Sequence, residues 1–359
     1  MERIKWLDSS RGLAILCLVF IHYIGALESR GFISYDLMNI IKSIFRVATP
    51  YFIFTFGFTF SIVYLKKIII FSDLTRLYRK LYKRLLLVVI AREIIVLIST
   101  VRYPEMANEL LSILLYQEFS KSGEILTFYF FAILLAPITL FFMKQKSNLF
   151  NILLISTVYI TGFYVGITFP SLYSSLLFRL FFYDVYAFLP FFSLAMFGMF
   201  CGILYRAFEH DLVRLKFYLL TGSLFIIIGT IILQFITDTP IYTLATASLK
   251  APPHIAYMLI YAGLSITLTA IVAICSTQKY VPKFLFDFLD ILGRNSLLSY
   301  VLHYFLFIAA PISMFIFSTQ NNQYELYTFI AVLILLFSIV YSRDTYKQKK
   351  IRSNKVGSK

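Results

Sequence analysis

Ten apolar runs of roughly membrane-spanning length recur along the chain, and they restrict its fold more than any other feature. They lie near residues 10–27, 46–65, 84–101, 125–143, 149–167, 187–206, 217–237, 255–275, 296–315 and 324–342. Hydrocarbon offers no partner to a backbone N–H or C=O, so each run must satisfy its own backbone by forming a helix. The chain is 60% hydrophobic and 14% charged, with mean hydropathy +0.81, which excludes an ordinary soluble domain. The fold expected is an all-α polytopic membrane protein, a single bundle of about ten transmembrane helices. No internal repeat, glycine-rich nucleotide loop or linker divides it.

Charge sets the orientation. The net charge is +15, but the basic residues sit in short clusters between apolar runs, so the lipid bilayer is the partner expected and nucleic acid is not. With the N-terminus in the cytoplasm, 25 of the 33 Lys and Arg fall inside, seven outside, and Arg92 within a span. Both termini are then cytoplasmic. The closing stretch RDTYKQKKIRSNKVGSK is basic and is expected to be a disordered topological anchor. Cys17, Cys201 and Cys275 lie inside apolar runs without metal-ligand spacing, so they are expected to pack, and no metal site is expected. The first run lacks a small-residue cleavage site and reads as a retained span.

Polar residues inside the apolar runs mark candidate function. In LDSSRGLAILCLVFIH, Arg11 and His22 are eleven residues apart, which returns them to within roughly 20° of one helix face and about 16 Å apart along it. Ile15, Leu18 and Gly25 share that stripe, and Asp8 precedes Arg11 by one turn. In RVATPYFIFTFGFTF, Arg46 marks the outer end, Pro50 predicts a kink and Gly57 a close helix approach. The inner cluster Arg76, Arg79, Lys80, Lys83 and Arg84 suits anionic headgroups or the phosphates of a cytoplasmic cofactor. Arg92 and Glu93 are helix neighbours whose directions diverge by about 100°, so at least one is expected to meet a charge or cavity on another helix instead of its neighbour. The outer segment before Glu124 contains LLSILLYQEF, which reads as an amphipathic surface helix. Pro252-Pro253 predicts an extended lead into the eighth run. In GRNSLLSYVLH, Asn295 precedes Ser296, Tyr300 and His303, which share one helix face.

The stretches LDSSRGLAILCLVFIHY, TPYFIFTFGF and GRNSLLSYVLHYF together resemble the integral-membrane acyltransferases: the acyltransferase-3 family and the related heparan-glucosaminide N-acetyltransferase-like group. KAPPHIAYMLIYAGLS is similar to the second group. The resemblance implies that Arg11 and His22 match an Arg and a His, separated by ten residues, that carry much of the activity. It further implies transfer of an acyl group, most often acetyl, from cytoplasmic acyl-CoA to a hydroxyl or amine of a cell-envelope glycan or glycolipid. The implied setting is the bacterial cytoplasmic membrane, with residues 1–342 as the transmembrane acyltransferase domain and 343–359 as a basic cytoplasmic tail. Two departures are visible. Phe56 stands where the family usually has serine before Gly57, and Lys80 and Lys83 stand where it has an RxxR pair, losing the bidentate fork for phosphate.

The chemistry of the residues suits that reading. An imidazole at His22 can act as general base or transient acyl carrier, Arg11 can pair with donor phosphate, and Asp8 can orient Arg11. Arg79, Lys80, Lys83 and Arg84 are the candidate contacts for acyl-CoA. Arg46, Arg92, Glu93, Glu124, Asn295, Ser296, Tyr300 and His303 are candidates to line a route through the bundle. A secondary transporter relaying protons or substrate through the same charges is the main rival, and an assembly partner of a glycan synthase a third reading. A homo-oligomer is compatible with all three.

Overall fold

In the computed structural model, the structure describes residues 4–28, 35–120, 122–207, 211–237, 243–244, 248–278, 281–305 and 322–356. Among these residues the secondary structure is helical, apart from one isolated bridge between Lys250 and Pro253. In chain order come α1 (Lys5–Glu28), α2 (Tyr35–Phe45), α3 (Ala48–Tyr64), α4 (Ser72–Arg102), α5 (Leu110–Leu114), α6 (Glu124–Met143) and α7 (Asn148–Thr168). Then follow α8 (Leu176–Phe178), α9 (Phe188–Ala207), α10 (Asp211–Ile231), α11 (Ile255–Cys275), α12 (Lys283–Arg294), α13 (Ser296–His303) and α14 (Asn322–Val356).

Six helical stretches among the described residues are long and apolar enough to cross a membrane: Leu37–Tyr64, Glu124–Met143, Asn148–Thr168, Leu176–Ala207, Val213–Ile236 and Ile255–Cys275. They coincide with the second and the fourth to eighth runs expected. The first, third and tenth runs lie within α1, α4 and α14. The ninth begins as α13, and its part beyond residue 305 lies outside the described residues.

The centre of the bundle is α3, which packs along α9 and against α1 and α11. Tyr51, Phe54 and Phe58 of α3 and Phe191, Ala195 and Met199 of α9 are buried in this core. Gly57 makes the close contact its sequence position suggests, since a Cβ there would stand 1.8 Å from the Ala195 carbonyl oxygen. By contrast α7 and α10 leave rows of large apolar side chains exposed, among them Leu153, Ile160 and Ile167, and Leu220, Leu224 and Ile227. Such faces fit a lipid surround, where an exposed leucine costs nothing.

Three local expectations are corrected. Pro50 does not kink a helix, because α3 begins at Ala48 and the proline occupies its first turn, where no i−4 hydrogen bond is lost. The lead into α11 is not extended but doubles back through the Lys250–Pro253 bridge. The basic closing stretch is helical through Val356, because Asp344 and Lys347 are held by partners on other helices.

The two ends of the bundle are distinct. At one end Trp6 of α1 packs against Phe58 in the second half of α3 and Tyr205 in the last turn of α9. At the other, the Tyr261 hydroxyl of α11 donates to the Ser43 carbonyl of α2 at 2.8 Å, and Tyr159 of α7 donates to the Pro253 carbonyl at 3.0 Å. His254 caps α11 there, its Nδ1 accepting from the Ala256 N–H at 3.2 Å.

A neutral imidazole can accept that bond and a protonated one cannot. Burial holds the His254 pKa below its ordinary value of 6.5, so its stabilising contribution is full above that value and is lost as pH falls through the depressed value. Hydrogen-exchange protection at Ala256 and Tyr257 should therefore fall on acidification, and His254→Asn, a cap that does not titrate, should flatten the dependence. Equal protection at pH 7.5 and 4.5 in the unaltered protein would dismiss the cap.

Candidate active site

The first half of the site is built where α1 crosses α12. A Cβ on Gly12 would lie 2.0 Å from the Leu289 carbonyl oxygen, and one on Gly293 1.7 Å from that of Asp8, so only glycine lets the two backbones touch. The contact buries Asp8, Ser9 and Ser10. Asp8 forms an ion pair with Arg11, the partner expected for it. Arg294, at the end of α12, pairs with Asp290 at 3.0 Å and with Asp344 of α14 at 3.1 Å. Asn295 donates to Asp344 at 3.2 Å and accepts from Lys347 at 2.9 Å. Three helices, α1, α12 and α14, thus bring polar side chains to the Arg11 end of the bundle.

Deeper along α1, His22 faces His303 of α13, their rings stacked with centroids 5.3 Å apart at 27°. His303 is 2% exposed and His22 is half-buried. The His303 Nδ1 bonds to the Tyr300 carbonyl. A carbonyl only accepts, so Nδ1 carries the proton and the lone pair of the neutral ring is on Nε2. Tyr304 lies 4.3 Å from the His303 ring and 6.5 Å from the His22 ring, centroid to centroid, and its hydroxyl is 3.1 Å from that of Tyr300. Two imidazoles and two phenols therefore converge in the middle of the bundle. Ser296 is half-buried on the same helix.

A narrow apolar crevice of about 20 Å³, room for little more than one water molecule, reaches this cluster, with Ile15 and Val19 of α1, Leu292 of α12, Ser299 and His303 of α13, and Val340 of α14 in its walls. None of the charged residues of the Arg11 end lines it.

Arg92 is 1% exposed and fully engaged except at Nε. Its guanidinium donates to Glu93 at 3.2 Å, to Glu124 of α6 at 3.2 Å and to the Ile113 carbonyl at 2.9 Å, and it lies 4.2 Å from the centre of the Tyr116 ring. The charge on another helix is as expected, but Arg92 also pairs with its neighbour Glu93. Long side chains can close the angle between adjacent positions. The LLSILLYQEF stretch is no surface helix: it forms one turn, α5, because its Ile113 carbonyl is drawn in by Arg92.

Arg79, Lys80, Lys83 and Arg84 are exposed along α4, and among the described residues they form no ion pair and do not join the Asp8–Arg11 cluster. Arg76 reaches Asp73, at 3.7 Å. Arg46 stands half-buried at the opposite end from Arg11, next to Phe45, whose ring stacks on Phe20 at 5.4 Å. Reading the sequence missed Tyr304, Asp344 and Lys250. Asp344 carried a signal, being an acid in an otherwise basic stretch, as did Tyr304, next to a candidate histidine.

Glu124 also accepts from the Ser120 N–H at 2.9 Å and the Thr127 hydroxyl at 3.1 Å, whereas the Glu93 side chain is 26% exposed. Breaking a buried pair typically costs about 3–5 kcal/mol. Glu124→Gln should therefore lower the thermal midpoint of the solubilised protein well below that of Glu93→Gln. Equal midpoints would mean that solvent, not Glu124, compensates Arg92.

Over residues 4–343 the chain matches the family model of the acyltransferase-3 group, described as an acyltransferase domain. No curated protein and no solved structure matches it significantly. The family match runs nearly end to end and takes in the Asp8–Arg11 pair, both histidines of the stacked pair and the Arg92 cluster; the chain belongs to the acyltransferase-3 family of membrane acyltransferases.

Proposed function

We propose that the protein moves an acyl group, acetyl in the first instance, from cytoplasmic acyl-CoA to a hydroxyl or amine of a cell-envelope glycan or glycolipid at the bacterial cytoplasmic membrane. The stacking of His22 on His303 midway between two polar ends carries this reading. In this scheme both termini are cytoplasmic, and the Asp8–Arg11 end receives the donor.

Arg11, oriented by Asp8, binds donor phosphate with its guanidinium fork. In this reading the thioester end of the donor approaches the histidines along the crevice between α1, α13 and α14, which has to widen to admit it. His22 takes the proton of the acceptor hydroxyl as its oxygen attacks the thioester carbonyl. The new C–O bond forms, the C–S bond breaks, and the imidazolium returns the proton to the departing thiolate. His303 and Tyr304 border the His22 ring and hold its orientation. Enclosure by the bundle excludes water that would hydrolyse the thioester. The exposed row Arg79, Lys80, Lys83 and Arg84 offers the donor a second, weaker phosphate contact.

His22→Ala should leave donor affinity near the wild-type value and lower turnover by about 10²–10⁴-fold, the range general-base removal produces. Arg11→Ala should chiefly raise the donor KM, with Arg11→Lys intermediate because it keeps charge but loses the fork. Acyl transfer at the wild-type rate by folded, membrane-inserted His22→Ala would refute the mechanism. Unchanged donor affinity in an Arg79→Gln, Lys80→Gln, Lys83→Gln variant would return that row to contact with lipid headgroups alone.

A further inference from the structure

The end of the bundle opposite Arg11 carries two cations with no carboxylate partner among the described residues. Lys250 precedes α11 and is only 8% exposed, and its ammonium lies on the face of Tyr186, 4.1 Å from the ring centre. A cation–π contact offsets part of the cost of burying an ammonium, and a full anion normally supplies the rest. Arg46 is half-buried, and its Nε is enclosed with no hydrogen-bond partner. Among the described residues no carboxylate pairs with either side chain. Asp184, two residues before Tyr186, is already held by Arg179 at 3.1 Å and by the Val185 N–H at 2.5 Å.

Shared neighbours bring these cations to one place. Arg46 lies three residues after Ser43, whose carbonyl accepts from Tyr261 of α11, and ring contacts lead from Tyr261 to Tyr257 at 4.6 Å, to Phe191 at 6.5 Å and to Tyr186 at 6.3 Å, on which Lys250 sits. Phe45, adjacent to Arg46, stacks on Phe20, two residues before His22. The hydroxyl of Tyr129 is buried with no partner among the described residues. Through Phe45 and Phe20 the cations thus adjoin the part of α1 that carries His22, at the end away from Arg11.

We infer that Lys250 and Arg46 form an anion-binding site for a phosphate or carboxylate carried by the acceptor, so that the acyl group goes to an acidic glycan or a glycosyl phosphate. The inference rests on the acyltransferase reading for the meaning of "acceptor", but the site itself needs no donor. Guanidinium and ammonium together hold the oxyanion, Tyr186 and Tyr257 provide ring faces for the sugar, and the acceptor hydroxyl is left pointing towards His22.

The test is binding of glucose 1-phosphate, glucuronic acid and methyl glucoside to purified full-length protein without acyl-CoA, read from the shift in thermal midpoint with ligand concentration. The anionic sugars should stabilise the protein, less so at high salt, and the neutral one should not. Arg46→Gln with Lys250→Gln should weaken anion binding at least about tenfold, and Lys250→Arg should retain it. Equal stabilisation by methyl glucoside, no stabilisation by either anion, or unchanged affinity in the double variant would overturn the inference. If the double variant does not fold, Arg46→Gln alone decides, and wild-type affinity there overturns it. Stabilisation by phosphatidylglycerol in nanodiscs but by neither anionic sugar would assign the cations to a lipid headgroup, which also overturns it. Loss of transfer in His22→Ala with anion binding intact bears on the chemistry alone, and transfer without anion binding bears against this site alone.

Discussion

Charged groups inside an apolar bundle must find partners there, and this desolvation constraint organises most of the structure. Arg92 meets it by drawing together three parts of the chain: Glu93 on its own helix, Glu124 at the start of α6, and the carbonyl of Ile113 in the segment between. The connection from α4 to α6 is folded inward because the buried guanidinium draws acceptors to its terminal nitrogens. At the other end Arg294 acts in the same way, joining α12 to α14 through Asp344. Apolar and glycine contacts join α3 to α9 and α1 to α12, and buried ion pairs add the ties from α4 to α6 and from α12 to α14.

Within that framework, glycine provides precision. The touching backbones of α1 and α12 at Gly12 and Gly293 fix the depth of Asp8 and Arg11 relative to α13, which follows α12 after a single residue. His22 is carried by the same α1 and His303 by that α13. Their stacking is therefore set by a rigid crossing about 16 Å away along the helix, not by a mobile loop.

Reading the sequence recovered what helical periodicity determines. The shared face of Arg11 and His22, the Asp8–Arg11 pair, the tight approach at Gly57 and most of the span positions follow from spacing along a single helix. It did not reveal contacts between distant segments. His22 and His303 are each visible as buried histidines, but nothing local indicates that residues so far apart stack. Lys250 stayed hidden for a different reason: it lies in a loop where a lysine ordinarily faces water, and only the doubling back at Pro253 buries it. The helical closing stretch was misread because its composition is that of a solvated tail, while one acid, Asp344, anchors it.

That anchor bears on where the functional unit ends. The family match stops at residue 343, a natural place to cut the gene for a minimal protein, yet α14 continues unbroken to Val356. A chain cut there would lose Asp344 and Lys347, leaving Arg294 with a single carboxylate and Asn295 without either partner from α14. The boundary of sequence similarity thus falls one residue short of the ion pair that ties α12 to α14 at the Arg11 end. An expression design that respects the fold keeps the basic segment and places any affinity tag beyond it.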